Sequence, residues 1–420
     1  MSNLSVLFKN IISLYGFTIA KLVFPMLTLP YLTRVLSLDA YGLVAYVKTI
    51  MSYMQLFVDF GFMLSGTKDV VDVCQRSKEQ GLRIEGNKEL NQVVGDIMLA
   101  RIINGFVAIV ILLGLTFAIP VLASNKLFVV FSFANIFASI FLFDYVFQGL
   151  EQMQVITYRF VTMKTITVAL TFVVVHGDGD IMWIPALDLI GSLVAVILVL
   201  LKLREYGIMP RFTTLINAWQ KLKESALYFV SLAASSLFGG LNTILIGIFL
   251  PMSQVAYWSL TMQILSVIQS LYNPIRDAIY PRMVATKSKK LLLKMFGIFM
   301  PIVILGCVFT YFVSDYAIVL IAGEKYLLSA ELLRWVIPWI LFGFPAIMFG
   351  WPALGALGHL KAITTTTVAS AAFQVIGLIG LGISGNFSLL AIAILRDVTE
   401  FLFALSRILL CIKVRRDFNE

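Results

Sequence analysis

Charged side chains are scarce in this chain. Of its 420 residues only 13% are Asp, Glu, Lys or Arg, while 60% are hydrophobic. Soluble domains carry roughly 25% charged and 45–50% apolar residues. With a mean hydropathy of +0.94, a water-soluble globule is excluded and the bilayer is the solvent to assume. Cysteine is nearly absent. Cys74, Cys307 and Cys411 are odd in number and far apart, which excludes a disulfide framework or a zinc cluster. Two distant histidines, His176 and His359, give no His-based metal site. No G-x-x-x-x-G-K-[ST] loop occurs, since "SGTKD" at 65–69 lacks the preceding glycine, so ATP hydrolysis by that route is excluded. Long hydrophilic segments are missing too. Every external loop is short, and the longest, around Ser314–Glu331, is under twenty residues. No extramembrane enzyme domain fits, and neither an enzyme activity, a metal nor a cofactor is expected.

What the chain has is apolar runs of spanning length, for which about 20 residues suffice. They lie at 11–31, 40–63, 93–118, 127–149, 160–176, 181–202, 225–250, 254–273, 295–314, 332–356, 362–384 and 387–411. The expectation is an all-α polytopic membrane protein with about twelve transmembrane helices, since barrel strands would be half as long. The first run reads as a retained span, because a signal h-region is shorter.

The sparse charge is distributed unevenly. With the N-terminus placed inside, the cytoplasmic segments hold Lys9; Lys68, Arg76, Lys78, Arg83 and Lys88; Arg159; Lys202, Arg204, Arg211, Lys221 and Lys223; Arg276, Arg282, Lys287, Lys289, Lys290 and Lys294; Lys361; and Lys413, Arg415 and Arg416. The other side holds Arg34, Lys126, Lys325 and Arg334. Twenty-two cations against four orient both termini to the cytoplasm. The net charge of +9 is thereby explained by topology and anionic lipid contact, with no nucleic-acid partner.

Twelve spans divide as six and six at the basic loop 203–224, giving an N-terminal lobe over 1–205 and a C-terminal lobe over 206–420. Even-span halves repeat in parallel orientation. "RVLSLDAYGLVAYVKTI" before and into the second span is echoed by "GIFLPMSQVAYWSLTMQI" before and into the eighth, although any tight hairpin shares some of this pattern.

The remaining six cations, Lys21, Lys48, Arg101, Lys164, Arg396 and Arg407, fall inside spans. On insertion scales each costs about 2.5–3.5 kcal/mol at mid-membrane. At helical spacing they align with other polar residues. The first span carries Thr18, Lys21, Pro25 and Thr28 on one face; the second carries Tyr41, Ala45, Lys48, Ser52, Gln55 and Asp59. The twelfth carries Arg396, Glu400, Phe403 and Arg407 with Asp397 beside them. Asp96, Ala100 and Asn104 align in the third span next to Arg101. Asp144 and Gln148 align in the fourth, Lys164, Thr167 and Thr171 in the fifth, and Pro185, Asp188 and Ser192 in the sixth. Such faces avoid lipid and line an enclosed or water-filled interior. Asp59, Asp96, Asp144, Lys164 and Arg407 lie near the cytoplasmic end, where an interfacial anchor or local ion pair serves as well as a function. Arg396 and Glu400 are also spaced to neutralise each other. For Lys21 two readings stand, an anionic ligand or a cross-helix pair with Asp188 or Asp59.

The seventh to eleventh spans offer amides instead, Asn242, Gln263, Gln269 and Asn273. The tenth repeats Pro338, Pro345 and Pro352 every seven residues. Each interior proline removes a backbone hydrogen bond, and the break is either a hinge or a static kink.

Three stretches carry a family resemblance. "LYGFTIAKLVFPMLTLPYLTRVLSLDAYGLVAY" with "FVDFGFMLSGTKDV", "PMSQVAYWSLTMQILSVIQSLYNPIRDAIYPRM" and "LLRWVIPWILFGFPAIMFGWPALGALG" resemble, in order along nearly the whole chain, the Wzx-type O-antigen flippases. These are the polysaccharide transporters of the multidrug/oligosaccharidyl-lipid/polysaccharide (MOP) exporter superfamily. The resemblance implies a MATE/MOP-like fold of two six-helix lobes around a central cavity in the bacterial inner membrane. It implies translocation of undecaprenyl-diphosphate-linked O-antigen repeat units to the periplasmic leaflet, H+ or Na+ coupling, and other polysaccharide assembly proteins as partners. By sign and depth, Lys21, Lys48, Arg101 and Arg396 are the candidate cavity cations and Thr18, Ser52 and Gln55 its candidate polar lining. Asp59, Asp188, Asp397 and Glu400 are the candidate coupling or ion-pairing carboxylates. A diphosphate and its sugars cannot survive in hydrocarbon, and Lys and Arg suit phosphate as point charge and fork. The rivals are a multidrug-type cation antiporter, which would favour carboxylates where Lys21 and Lys48 stand, a membrane polymerase or ligase, which would need a large external loop, and a lipid II flippase, for which fourteen spans would be expected.

Overall fold

A computed structural model describes residues 3–81, 86–211 and 213–419. Arg83 and the side chain of Lys9, both counted above as cytoplasmic cations, lie outside what is described. The described backbone is almost entirely helical, in the chain order α1 (Asn3–Val35), α2 (Leu38–Asp59), α3 (Phe62–Glu79), α4 (Lys88–Ala118), α5 (Pro120–Ser124), α6 (Lys126–Ser139), α7 (Asp144–Gly149), α8 (Met153–Val174), α9 (Trp183–Glu205), α10 (Leu215–Phe249), α11 (Met252–Ser270), α12 (Tyr272–Thr286), α13 (Lys289–Ala322), α14 (Leu327–Trp335), α15 (Ile337–Met348), α16 (Leu360–Ile383) and α17 (Leu389–Lys413). Each expected span coincides with helix. Among the described residues, seven segments are long and apolar enough to cross a membrane by length and composition alone: Ile12–Val35, Lys88–Ala118, Lys126–Gly149, Asp178–Glu205, Lys289–Ala322, Ile337–Gly355 and Leu360–Ile383. Among the rest, α2 and α17 carry the richest intramembrane polar faces, which is what lowers their hydropathy. The chain is a multi-pass membrane protein.

The chain forms two compact units. Unit 1 comprises Met1–Ser37 and Val47–Ser236, and unit 2 comprises Leu38–Tyr46 and Leu237–Glu420. Within unit 1, α8 packs against α1 and α9, and α6 against α9. Its core at one end gathers Phe62, Val70, Leu90, Val94, Phe147, Val199 and Leu222 from α3, α4, α7, α9 and α10. Within unit 2, α17 packs against α15 and α16, and α13 against α14 and α15. Both units use a glycine where two helices nearly touch. A Cβ on Gly191 would lie 2.4 Å from Thr167 Oγ1, and one on Gly377 would lie 2.4 Å from Leu395 Cδ1. Small residues permit such approaches in membrane bundles.

Besides the short α5, two helices were not anticipated from the apolar runs, α3 after the second span and α12 after the eighth. Both are polar enough to escape a span count, and they occupy corresponding places in the two halves of the sequence. At the α2–α3 joint Phe60 and Gly61 take φ values of 44° and 79°. The left-handed region is strained for phenylalanine. Stacking of its ring on Phe229, 4.4 Å between centroids and 9° from parallel, helps hold it there.

One span in each unit is broken. The fourth runs as α6, a tight 3-10 turn Ile140–Leu142, Phe143 at φ 48° and then α7. The tenth runs as α15 followed by a wide π turn Phe349–Gly355, with Gly350 at φ −76°, ψ −107°. Of its three prolines, Pro338 sits in the first turn, where a missing N–H costs nothing. Pro345 and Pro352 fall inside helical turns and free carbonyls one turn back. In a membrane such freed groups must find partners within the protein.

Candidate functional site

Polar side chains in unit 1 gather into three clusters, each built across helices distant in sequence. The first surrounds Arg101 of α4, which is only 6% exposed. Its guanidinium donates to the Ile140 carbonyl at 2.9 Å, to the Ser139 carbonyl at 3.3 Å and to the Asp59 carboxylate. Ser139 and Ile140 are the residues at which the fourth span breaks, so Arg101 answers carbonyls that the break releases. Gln55 joins the cluster by donating from Nε2 to Asp59 Oδ2 at 2.8 Å and accepting the Ser139 hydroxyl at 3.0 Å. Arg101, Asp59 and Gln55 are thus one network, and the Arg101 donors point into protein.

The second cluster contains Lys21. Its ammonium is exposed, lies 4.3 Å from the centre of the Phe17 ring and forms no ion pair or hydrogen bond among the described residues. The pair Arg159–Asp144, 2.8 Å apart, lies within electrostatic range of it. α1 continues through Pro25, which stands four residues after Lys21 and has no N–H to give the Lys21 carbonyl. One residue therefore presents both an open ammonium and a carbonyl without its helical donor. Thr18 is exposed and turns its hydroxyl back on the Leu14 carbonyl at 2.9 Å, as Thr28 does on Phe24 at 3.1 Å.

The third contains Lys48, likewise exposed and without an ion pair or hydrogen bond among the described residues. Within its electrostatic range is Lys164–Asp188, 3.2 Å apart. Ser52, one turn further along α2, is exposed and bonds the Thr49 carbonyl at 2.7 Å.

The pairings bear on the cross-helix alternative for Lys21. Asp59 is taken by Arg101 and Asp188 by Lys164, so neither carboxylate neutralises it. Among Lys21, Lys48, Arg101, Arg159 and Lys164, three cations are matched by Asp59, Asp144 and Asp188. Two lysines remain without a carboxylate partner among the described residues.

In unit 2 the intramembrane Arg396, Glu400 and Arg407 are buried. Arg396 pairs with Glu400 at 3.0 Å, both almost wholly buried, and its guanidinium lies 4.0 Å from the Trp339 ring centre. Asp397 accepts the Trp339 backbone N–H at 3.0 Å. It thereby caps the first turn of α15, whose N–H groups have no helical acceptor. Arg407 is 6% exposed and donates to the Ala346 carbonyl at 2.6 Å and to Thr367 at 3.2 Å, against the Phe403 ring. It braces the broken tenth span as Arg101 braces the fourth. Asn242, Gln374 and Thr399 form a buried chain, with Gln374 Nε2 donating to Asn242 at 3.1 Å and Thr399 to Gln374 at 2.6 Å.

Two site features escaped the sequence. Arg159 counted only as a loop cation, yet it is 4% exposed and partners Asp144; no periodicity on one helix shows a pair formed between two. The bracing by Arg407 was likewise invisible, although the proline run of the tenth span marked where a donor would be needed.

Residues 7–287 match the family described as "Polysaccharide biosynthesis protein". The chain is 25% identical over 280 residues, 66% of its length, to the Escherichia coli (strain K12) protein named "Putative O-antigen transporter". The match spans 65% of that relative. Among solved structures, a lipid II flippase, MurJ, in an inward closed conformation is similar at TM-score 0.68 and 14% identity, covering 98% of this chain and 89% of that one. An inward-facing multidrug resistance MATE family transporter of the MOP superfamily is similar at TM-score 0.68 and 13% identity, covering 94% and 99%. At such identities the likeness is one of fold.

Proposed function

The chain belongs to the polysaccharide biosynthesis protein family, and from this we propose that it is a flippase for undecaprenyl-diphosphate-linked O-antigen or related repeat units. It carries them from the cytoplasmic to the periplasmic leaflet of a bacterial inner membrane, with both of its termini cytoplasmic. The observation that supports this reading is the pair of open lysines. Lys21 and Lys48 stand at membrane depth with no carboxylate bound, and their two charges match those of a diphosphate group. The carbonyl of Lys21 and the hydroxyls of Thr18 and Ser52 add hydrogen-bonding capacity for sugars. The polyprenyl tail needs none of this and stays in lipid while the head group is sheltered. A cation antiporter of the same fold calls for the opposite sign.

On this reading Arg101 and Arg396 hold the protein rather than the ligand, because both are buried and each is ion-paired inside it, Arg101 with Asp59 and Arg396 with Glu400. Coupling to a proton or sodium gradient falls to Asp188, whose pair with Lys164 borders Lys48, or to Asp59 in the Arg101 network. Asp397 caps a helix, and Glu400 is sealed against Arg396.

The test is complementation of a transport-deficient strain, read as surface polysaccharide and as lipid-linked repeat units retained inside. Losing one charge-assisted contact costs about 1.5–3 kcal/mol, or roughly ten- to a hundredfold in affinity. Lys21→Ala and Lys48→Ala each lower display, and the double variant, present in the membrane at normal level, accumulates lipid-linked units. Full display by the double variant overturns the reading.

A further inference from the structure

Away from the intramembrane clusters, unit 1 carries a polar cleft of about 380 Å³ between α3, α4 and α10. We infer that this cleft binds a hydrated divalent cation of the magnesium type, with Asp96 as its innermost ligand. Five carboxylates line it, Asp69, Asp72, Glu89, Asp96 and Glu224, and only two cations, Arg76 and Lys221. Both cations are already engaged. Arg76 pairs with Glu89 at 2.7 Å, and Lys221 is shared by Asp69 at 2.7 Å and Glu224 at 2.9 Å. Burial works against the charge of Lys221, but its hydrogen bonds to Asp69 and Glu224 outweigh this and hold its pKa above the ordinary lysine value. It stays an ammonium, bound to those two. Asp72 and Asp96 are left without a cation among the described residues.

Asp96 is the telling residue. It is 6% exposed, and its buried Oδ1 has no hydrogen-bond partner. The Tyr145 hydroxyl, in electrostatic range of Asp96, donates to the Val94 carbonyl at 3.4 Å instead. A buried carboxylate oxygen with no donor is costly, and no cation among the described residues pairs with Asp96. A bound cation supplies one.

The donor chemistry narrows the cation. Gln92, Asn217 and Gln220 add amide oxygens to the carboxylates, with no histidine or thiol in the lining, so a hard ion is favoured over zinc or copper. Among the described residues no three His, Cys, Asp or Glu side chains converge into a metal cage. Magnesium suits that arrangement, since it keeps most of its waters and takes only one or two carboxylates from a protein. The two carboxylates without partners, Asp72 and Asp96, balance its charge.

The test is manganese(II) binding to the purified full chain in detergent micelles, followed by loss of the free-ion EPR signal. One saturable site is expected, displaced by magnesium but not by sodium chloride at equal ionic strength. Asp96→Asn and Asp72→Asn each weaken it about tenfold or more, the scale of one charged contact, while Asp277→Asn in unit 2 leaves it unchanged. If Asp96→Asn fails to elute as folded protein, Asp72→Asn decides. No saturable site, displacement by sodium chloride, or unaltered affinity in a folded variant overturns the inference. None of these outcomes depends on whether the intramembrane lysines carry substrate.

Discussion

Arg101→Met separates a bracing arginine from a ligand-binding one. The wild-type guanidinium answers three acceptors, the Ile140 and Ser139 carbonyls and the Asp59 carboxylate. Methionine keeps much of the volume and removes all three. Breaking a buried ion pair from one side costs about 3–5 kcal/mol. Here the Asp59 side chain is 39% exposed, so water screens part of the abandoned charge and about 3 kcal/mol is expected. Asp59→Asn is milder, because Arg101 keeps both carbonyls and loses only the charge on one acceptor, about 1.5 kcal/mol. In the double variant no carboxylate is stranded, and about 1–2 kcal/mol is recovered relative to the sum of the singles. The assay is equilibrium unfolding of the purified protein in mixed micelles, completing the cycle with all four forms. Additivity within about 0.5 kcal/mol, or equal costs for the two singles, refutes the bracing account. Arg101 would then be free to serve as a substrate cation.

Other outcomes follow from the same geometry. A Cβ at Gly350 would sit 2.5 Å from Arg407 Nη1, so Gly350→Ala destabilises by displacing the guanidinium from the Ala346 carbonyl. Arg407→Met strands that carbonyl at a cost of about 1–3 kcal/mol. The clash part of the Gly350→Ala cost disappears in the Arg407→Met background, and thermal unfolding of the double variant reads this directly; strict additivity contradicts it. Asp397→Asn keeps an oxygen for the Trp339 N–H and is expected to retain both melting temperature and export, whereas Asp397→Leu loses the cap at about 1 kcal/mol. Export abolished in Asp397→Asn at unchanged melting temperature would return Asp397 to the coupling candidates.

Much of this architecture was legible because hydrocarbon imposes simple rules. Spans must be long, apolar and helical, so the runs from 11–31 to 387–411 located helices directly. Polar faces were legible for the same reason, and Lys21 and Lys48 stood out by depth. What stayed hidden was partnership. Asp188 meets Lys164 across 24 residues and Asp59 meets Arg101 across 42, and spacing along one helix says nothing of a neighbour. The breaks were only half visible. Prolines announced the tenth-span break, but Phe60 and Phe143 adopt left-handed backbone with no glycine at either position. Their strain is carried by tertiary contacts, such as the Phe60–Phe229 stack, and leaves no local signal. α3 and α12 were missed because they carry enough charge to interrupt any apolar run.

The choice of cation tracks the job. Each unit contains one broken span, and in each the break is braced by an arginine from another helix, Arg101 in unit 1 and Arg407 in unit 2. A planar guanidinium reaches several acceptors in a fixed fork and stays charged when buried, which a brace between two or three carbonyl and hydroxyl oxygens requires. Lysine is a compact point charge on a flexible stem and makes a poorer brace. Among the described residues, the two intramembrane cations left exposed and without ion pairs are both lysines. A flexible ammonium suits a ligand that arrives, reorients and departs, because it can follow a phosphate without being held in one geometry. The same distinction explains why the intramembrane arginines can be assigned to the fold by their acceptors, whereas Lys21 and Lys48, with no acceptor bound in the described chain, are the residues left for the proposed ligand.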